Sequence, residues 1–304
     1  MKRDALYDLH IHTKLSDGNK DALDILEVAK ANELEAVSFT DHHTTRTFDE
    51  ATVYADYLGI ELIPGTEIST SDFKSLHILG YGMDDRAELN MQLKTITQTN
   101  QRKIIEILLK IEQQYGKKLF TNHQVKVMLR EGNLTRKNIA HQLVKMGLAK
   151  DAESAYSDIV GPFGNLGVQT IKPSAKNVIE SINSAGGVAV VAHPRSIKHR
   201  QSGHNLSFKE HEQLFAELKS YGLQGIEAIH QSDNSSRVQN FFKYVANNQG
   251  LIKTGGSDYH GHRSGESIGN PNVKEKHMDS LRQAIKDRHN SKAPRDACSL
   301  CASS

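Results

Sequence analysis

At 304 residues, with 37% hydrophobic and 24% charged side chains, the chain is long enough for one large domain or two, with a sizeable core. Lysine plus arginine (38) nearly balance aspartate plus glutamate (36), so a net charge of +2 marks no global nucleic-acid or membrane surface. No window approaches the ~20 apolar residues of a membrane span, and the N-terminal MKRDALYDLH lacks the apolar run of a secretory signal.

Short apolar runs predict buried strands at 5–10, 36–40, 60–65, 76–81, 187–193, 225–230 and 251–258. Amphipathic patterns between them predict helices at 20–33, 46–58, 174–185, 208–221 and 235–248. Strands that are apolar throughout bury both faces, which implies parallel pairing with helices outside. A barrel of repeated βα units is the economical α/β solution. One region breaks the alternation. From 87 to 165 only helical patterns occur, at 87–115, 122–131, 135–147 and 151–159, with Ile104, Ile105, Leu108, Leu109 and Ile111 at helical spacing in the longest. Such a segment either packs itself as a bundle or caps a barrel site. Insertions enter barrels through the loops around their active sites, which favours a cap. The expected layout is therefore a barrel of 1–86 and 166–287 with a helical cap at 87–165. The polar stretch 288–304 reads as a flexible tail. Its Cys298 and Cys301 are the only cysteines, which suits a reducing cytoplasm; without a second ligand pair they make no zinc site.

Chemistry-bearing residues gather at the strand ends. The first strand leads into His10 and His12, whose i, i+2 spacing puts both imidazoles on one face, and then into Asp17. TDHHT supplies Asp41, His42 and His43, PGTEIS supplies Glu67, and LHILGY opens with His77. His193 ends the fifth run, and GGSDYHG brings Asp258 and His260 at the last. In a parallel barrel all strand C-termini share one face, so these residues converge. A catalytic zinc needs about three protein ligands, so nine such residues divide among two or three ions, with Glu67 suited to bridge. A mixed imidazole and carboxylate shell fits Mn²⁺, Zn²⁺ or Fe²⁺, and multi-metal centres suit phosphoryl chemistry. Asp41 and His43 are placed to orient His42 and its neighbours. His123, His141, His199, His204, His211, His262, His277 and His289 lack strand-end placement and read mostly as surface or helix residues. The basic SIKHRQSGHN loop, with His199 and His204, could meet RNA electrostatically, although a solvated loop is the simpler reading.

The successive segments DLHIHTKLSDG, FTDHHT, GTEIS, LHILGY, GGVAVVAHP, GIEAI and GGSDYHG resemble the motifs of the PHP (polymerase and histidinol phosphatase) superfamily from residue 8 to about 269. The helical insertion, with TRKNIAHQLVKMG, is similar to that of the stand-alone branch of 3′,5′-nucleoside bisphosphate phosphatases and 5′-to-3′ exoribonucleases, and GPFGNLGVQTIKP is similar to the segment that closes its cap. The resemblance implies a distorted (β/α)7 barrel with a trinuclear metal centre, manganese foremost. One metal would take His10, His12, Glu67 and Asp258; a second would share Glu67 with His77 and His193; a third would take Asp17, His42 and His260. It further implies a metal-dependent phosphoesterase in which a metal-bridging hydroxide attacks a 3′,5′-bisphosphonucleotide or short 5′-phosphorylated RNA. Arg136 matches the cap arginine that meets a substrate phosphate, and Arg195 and His230 lie where further contacts, or a proton for the leaving group, would come from. Two departures bear on the substrate. Lys137 and Asn138 replace a proline and a histidine of the cap motif, and Arg195 directly follows the His-Pro pair where glycine then arginine is common. Small-metabolite phosphatases such as histidinol phosphatase, and metal-free PHP modules of polymerases, are the alternatives. The first lack this cap pattern and the second often lose ligands that are all present here. No DNA-reading motif and no membrane partner are expected.

Overall fold

The computed structural model describes residues 6–131, 134–230, 235–262, 266–271 and 273–292. Its first three strands, β1 (Leu6–Ile11), β2 (Leu34–Phe39) and the two-residue β3 (Glu61–Leu62), pair in parallel. Helices α1 (Ala22–Ala31) and α2 (Arg46–Leu58) cross between them. Gly59 ends α2 in the left-handed conformation that its missing side chain permits. A second sheet contains β4 (Gly65–Ser69), β5 (His77–Tyr81), β6 (Val188–Val191), β7 (Gly225–His230) and β8 (Ile252–Gly256) in that spatial order.

The expectation of uniformly parallel strands is corrected here. β4 pairs antiparallel with β5, and β5 antiparallel with β6, while β6, β7 and β8 are parallel. The short connection at 70–76 holds no helix, and a parallel crossover needs a dozen or more residues, so β5 must turn back on β4. Apolar composition reports burial on both faces; it carries no information about strand direction. One consequence reaches the site: His77 stands at the start of β5, opposite Ser69, and the reversal of that strand brings it to the end where the other strands finish.

Two isolated bridges join the sheets at their borders, Ile11 with Tyr259 and His42 with Glu67. Gly256 permits the close approach at the first border, where a Cβ would lie 2.4 Å from Cβ of His10. Buried Tyr7, Leu9, Leu79, Tyr81, Val188 and Val190 form a cluster between strands, closed by Met278 and Leu281 of α10 (Glu275–Lys292). The sequence reading assigned no helix to that segment. α10 continues past residue 288, and residues 293–304, with Cys298 and Cys301, lie outside the described residues. A larger cluster packs β4–β7 against α7 (Ala175–Ser184), α8 (Phe208–Ser220) and α9 (Ser236–Asn248). A full capping box starts α8: Ser207 accepts from the Glu210 backbone, and Glu210 accepts from that of Ser207.

The helical insertion has its own core. Ile104, Ile107 and Ile111 of α3 (Ala87–Tyr115) pack with Ile139, Ala140 and Leu143 of α5 (Arg136–Lys145) and with Ala155 and Val160. α4 (Asn122–Glu131) lines this unit, and a three-residue α6 (Ala152–Ser154) runs into a wider π turn over Ala155–Val160. α3 ties the two bodies together. Its first turns bury Leu89 and Leu93 in the core around β4 and β5, and its later turns enter the core of the insertion. No described helix is long and apolar enough to cross a membrane.

Candidate metal centre

All nine residues expected as metal ligands come together, and Glu67 is at their middle. It is 1% exposed on β4, and its two oxygens face different groups. Oε1 lies 2.8 Å from His77 Nδ1 and 2.9 Å from His193 Nε2. Oε2 lies 3.2 Å from His12 Nε2, 3.4 Å from His10 Nε2 and 3.3 Å from His42 Nδ1. Asp258 Oδ1 is 3.3 Å from His10 Nε2 and 3.2 Å from His12 Nε2. On the far side, Asp17 Oδ1 is 3.2 Å from His260 Nε2, 3.6 Å from His12 Nδ1 and 3.8 Å from His42 Nε2. Three groups therefore have ligand atoms within 4.8 Å of one another: His10, His12, Glu67 and Asp258; His12, Asp17, His42 and His260; and His42, Glu67 and His77.

The backbone is shaped around these side chains. Among the described residues five non-glycine positions have positive φ, and three of them, His43 (55°), His193 (26°) and Asp258 (51°), belong to the cluster or flank it. Such conformations cost about 1–3 kcal/mol each and persist where the surroundings impose them. Buried Asp8 on β1 accepts from the backbone N–H groups of Ser257 (2.9 Å) and Gly269 (2.7 Å), which fixes the approach to Asp258. Burial pushes its carboxyl up from the usual range. Asp41 accepts from Thr13 N and Oγ1 (both 2.7 Å), Ser16 Oγ (2.5 Å) and Thr47 Oγ1 (2.5 Å). It thus braces the loop before Asp17 against α2, and its oxygens are taken up there instead of on the His42 ring.

The donor set demands positive charge. Burial opposes ionisation of Glu67, but His42, His77 and His10 outweigh it and hold the carboxyl well below its usual value. Burial is likewise outweighed at Asp258 by His10 and His12, and at Glu227 by His10 and His230. Conversely, Asp258 and Glu67 overcome burial at His12 and push it up to about 10, and Glu227, Asp258 and Glu67 raise His10 well above its ordinary value. Burial wins at His42, lowered to about 4, and at His43, lowered to about 3.

Tautomers sharpen the point. Ionised Glu227 can only accept, so His10 Nδ1 carries the hydrogen of their 2.9 Å bond, and once the ring gives up its second proton Nε2 is left with a lone pair turned on Glu67 and Asp258. The hydroxyl of Ser196 donates to the carbonyl of His193, so it accepts from His193 Nδ1 at 2.7 Å, and His193 Nε2 likewise faces Glu67 with its lone pair. Lone pairs of nitrogen and oxygen converging in a buried space need a cation or protons between them. Nitrogen and carboxylate donors in this ratio fit a divalent transition metal.

Other expected residues take distinct positions. His230 ends β7, with Nε2 3.8 Å from Asp258 Oδ2 and its ring 6.0 Å from that of His193. Arg136 opens α5 behind the N-cap Thr135, donates to the Val168 carbonyl and lines a cavity shared with Asp17 and His42. Lys137 lies 3.7 Å from Asp17 Oδ2. Arg195 is exposed on the short turn Pro194–Ser196 after His193.

Several neighbours were not singled out from the sequence. Glu227 of the GIEAI segment joins His10 to the His193 backbone, whose N–H it accepts at 2.6 Å. Lys172 lies within electrostatic reach of Arg136, Arg200 and Glu67, and burial together with those arginines lowers its ammonium from the usual range. Two of the histidines read as surface or helix residues lie on helices and are buried there. His211 sets its ring nitrogens against the Ser207 and Pro194 carbonyls, steadying the turn after His193, and His277 is buried on α10. His262 Nε2 contacts the Asp17 carbonyl at 2.8 Å.

Comparison with known proteins places this arrangement. The family model of the PHP domain matches residues 8–220. The chain is 28% identical over 256 residues to a 5′-3′ exoribonuclease of Haemophilus influenzae, covering 84% of this chain and 89% of that one. It is 26% identical to a phosphoribosyl 1,2-cyclic phosphate 1,2-diphosphodiesterase of Eggerthella lenta (84% and 94% covered). It is 28% identical to a 3′,5′-nucleoside bisphosphate phosphatase of Chromobacterium violaceum (83% and 86%). Its fold superposes on a predicted metal-dependent phosphoesterase of Bifidobacterium adolescentis with a TM-score of 0.74 at 26% identity, covering 91% and 96% of the two chains.

Proposed function

Because the chain belongs to the PHP-domain family, we propose that the Glu67 cluster is the catalytic metal centre of a phosphoesterase acting on 3′,5′-bisphosphonucleotides or short 5′-phosphorylated RNA. The chain is a phosphoesterase hydrolase of that family. The carrying observation is the division of five imidazoles between the two oxygens of one buried carboxylate, with Asp17 and Asp258 on either side. That arrangement supports three divalent ions, manganese foremost with zinc or iron as alternatives, held by His10, His12, Glu67 and Asp258, by Glu67, His77 and His193, and by Asp17, His42 and His260. The two border bridges support a distorted barrel of 1–86 and 166–287 closed around the centre, and the separate core of 87–165 supports its reading as a cap.

Bound divalent ions supply neutralising charge for a phosphate and lower the pKa of water towards about 7. The protein's own groups supply orientation. Arg136 can hold a phosphate bidentately at the cap side of the cavity, and Lys172 adds a second cation near Glu67. His230 stands beside Asp258, where its Nε2 can deliver a proton to the leaving oxygen. Arg195, on the turn after His193, is a further candidate phosphate contact.

The test is phosphate and nucleotide release by the manganese-supplemented protein, with parallel metal analysis. The substrates are adenosine 3′,5′-bisphosphate, a 5′-phosphorylated RNA pentamer, a phosphoribosyl 1,2-cyclic phosphate and histidinol phosphate. AMP from the first, or mononucleotides from the second, is expected. Turnover of the cyclic sugar phosphate or of histidinol phosphate alone would overturn the nucleotide assignment while leaving the metal centre in place.

A further inference from the structure

The cavity that begins at Asp17 and His42 extends well beyond them. It has a volume of about 740 Å³ and runs between the strand ends and the insertion. That is within the roughly 300–1,000 Å³ of sites that enclose a whole organic ligand. Among the described residues, five of its lining side chains are lysine or arginine and one, Asp17, is acidic, a balance that favours an anion.

Helix α3 forms one wall. Lys94, Thr97, Gln98 and Gln101 lie at i, i+3, i+4 and i+7, which is one helical face, and all four line the cavity. Gln101 donates to the Leu129 carbonyl, whereas Lys94, Thr97 and Gln98 have no protein partner among the described residues. Packing of α3 uses other positions, Leu93, Ile104 and Ile107. The stripe advances about 10 Å along the helix, further than one phosphoryl group reaches. Tyr156, on the π turn, also lines the cavity, is 39% exposed and lies within electrostatic reach of Arg136.

We infer that this cavity seats a second nucleotide of a single-stranded RNA, its base stacked on Tyr156 and its phosphate and base edge held by Lys94 and Gln98 of α3. Cations that follow a backbone, an aromatic platform and uncommitted amide groups are what single-strand binding uses. The inference rests on the nucleotide reading above and deepens it: substrate length becomes a property of α3 and Tyr156.

The experiment is calorimetric titration of the manganese-supplemented full chain with 5′-phosphorylated, phosphorothioate-linked RNAs of one to five nucleotides. Affinity is expected to rise roughly tenfold between one nucleotide and three, the equivalent of one stacked base. The rise should vanish in Tyr156→Ala and in Lys94→Ala combined with Gln98→Ala. Alanine is favoured in the exposed helical positions of the second variant, so it keeps its fold. Affinity independent of length in the wild type, or a rise retained in both variants, overturns the inference. Length-dependent binding that the variants abolish, in a protein hydrolysing neither nucleotide substrate, would support the groove and discard the catalytic reading. Hydrolysis of the bisphosphate with no length dependence would do the reverse.

Discussion

His10 and Glu227 are joined by a 2.9 Å bond between Nδ1 and Oε1, both side chains being fully buried. The carboxylate fixes which ring nitrogen carries hydrogen and aims the other at Glu67 and Asp258. Glu227 also accepts from the His193 backbone, so one residue orients imidazoles from two strands. Glu227→Gln keeps the size of the side chain but can present an amide to His10 and permit the wrong tautomer. Metal affinity should fall about 10–100-fold, the usual cost of losing a partner that orients a metal-ligating histidine. Competition with a fluorescent chelator would measure it, and unchanged affinity would mean that Glu227 is only a buried structural acid.

Glu67 differs from Asp17 and Asp258 because each of its oxygens faces two or more of the nine expected ligands, His77 and His193 on Oε1 and His10, His12 and His42 on Oε2. Glu67→Gln should therefore lose more than one metal equivalent per chain, whereas Asp17→Asn, at one edge of the cluster, should lose about one. Asp258→Asn and His193→Ala should each remove activity with metal occupancy while circular dichroism stays that of a folded protein. Elemental analysis after dialysis separates these cases. Full turnover by metal-depleted Asp258→Asn would rule out the mechanism.

In the function proposed above, Arg136 meets a phosphate and no metal. It donates to the Val168 carbonyl and lines the cavity. Arg136→Lys preserves charge but loses the planar fork, so KM for adenosine 3′,5′-bisphosphate should rise about tenfold or more with metal content intact. Steady-state kinetics beside metal analysis tests this. A fall in kcat with lost metal would instead make Arg136 a support of the centre.

Much of this arrangement was legible in the sequence, for definite physical reasons. The i, i+2 spacing of His10 with His12 placed both rings on one face, and helical periodicity bounded α2, α3 and α7 closely. Strand direction was not legible, because a buried strand is apolar whichever way it runs; the turn-back of β5 depends on the shortness of 70–76. Glu227 stayed hidden because a lone glutamate in an apolar strand has no pattern of its own, and only its pairing with His10, far away in sequence, gives it meaning. α10 was missed because its polar residues outnumber the apolar Met278, Leu281 and Ile285 that seat it.

Away from the metal centre, His277 gives a pH signature of the fold. It is 7% exposed on α10, and burial, reinforced by Lys276 and Lys274 beside it, Lys253 on β8 and Lys243 on α9, lowers it to about 4. The unfolded chain binds this proton near pH 6.5 and the folded chain does not. The stabilising contribution is thus complete above about 6.5, declines as pH falls, and is gone near 4. Between pH 7 and pH 5 it should amount to about 1–2 kcal/mol. His277→Leu removes the titrating group and keeps an apolar side chain in the same place, so its Tm should drop less than that of the wild type over this interval. Parallel slopes of Tm against pH for the two proteins would show that His277 is solvated enough to titrate normally in the fold.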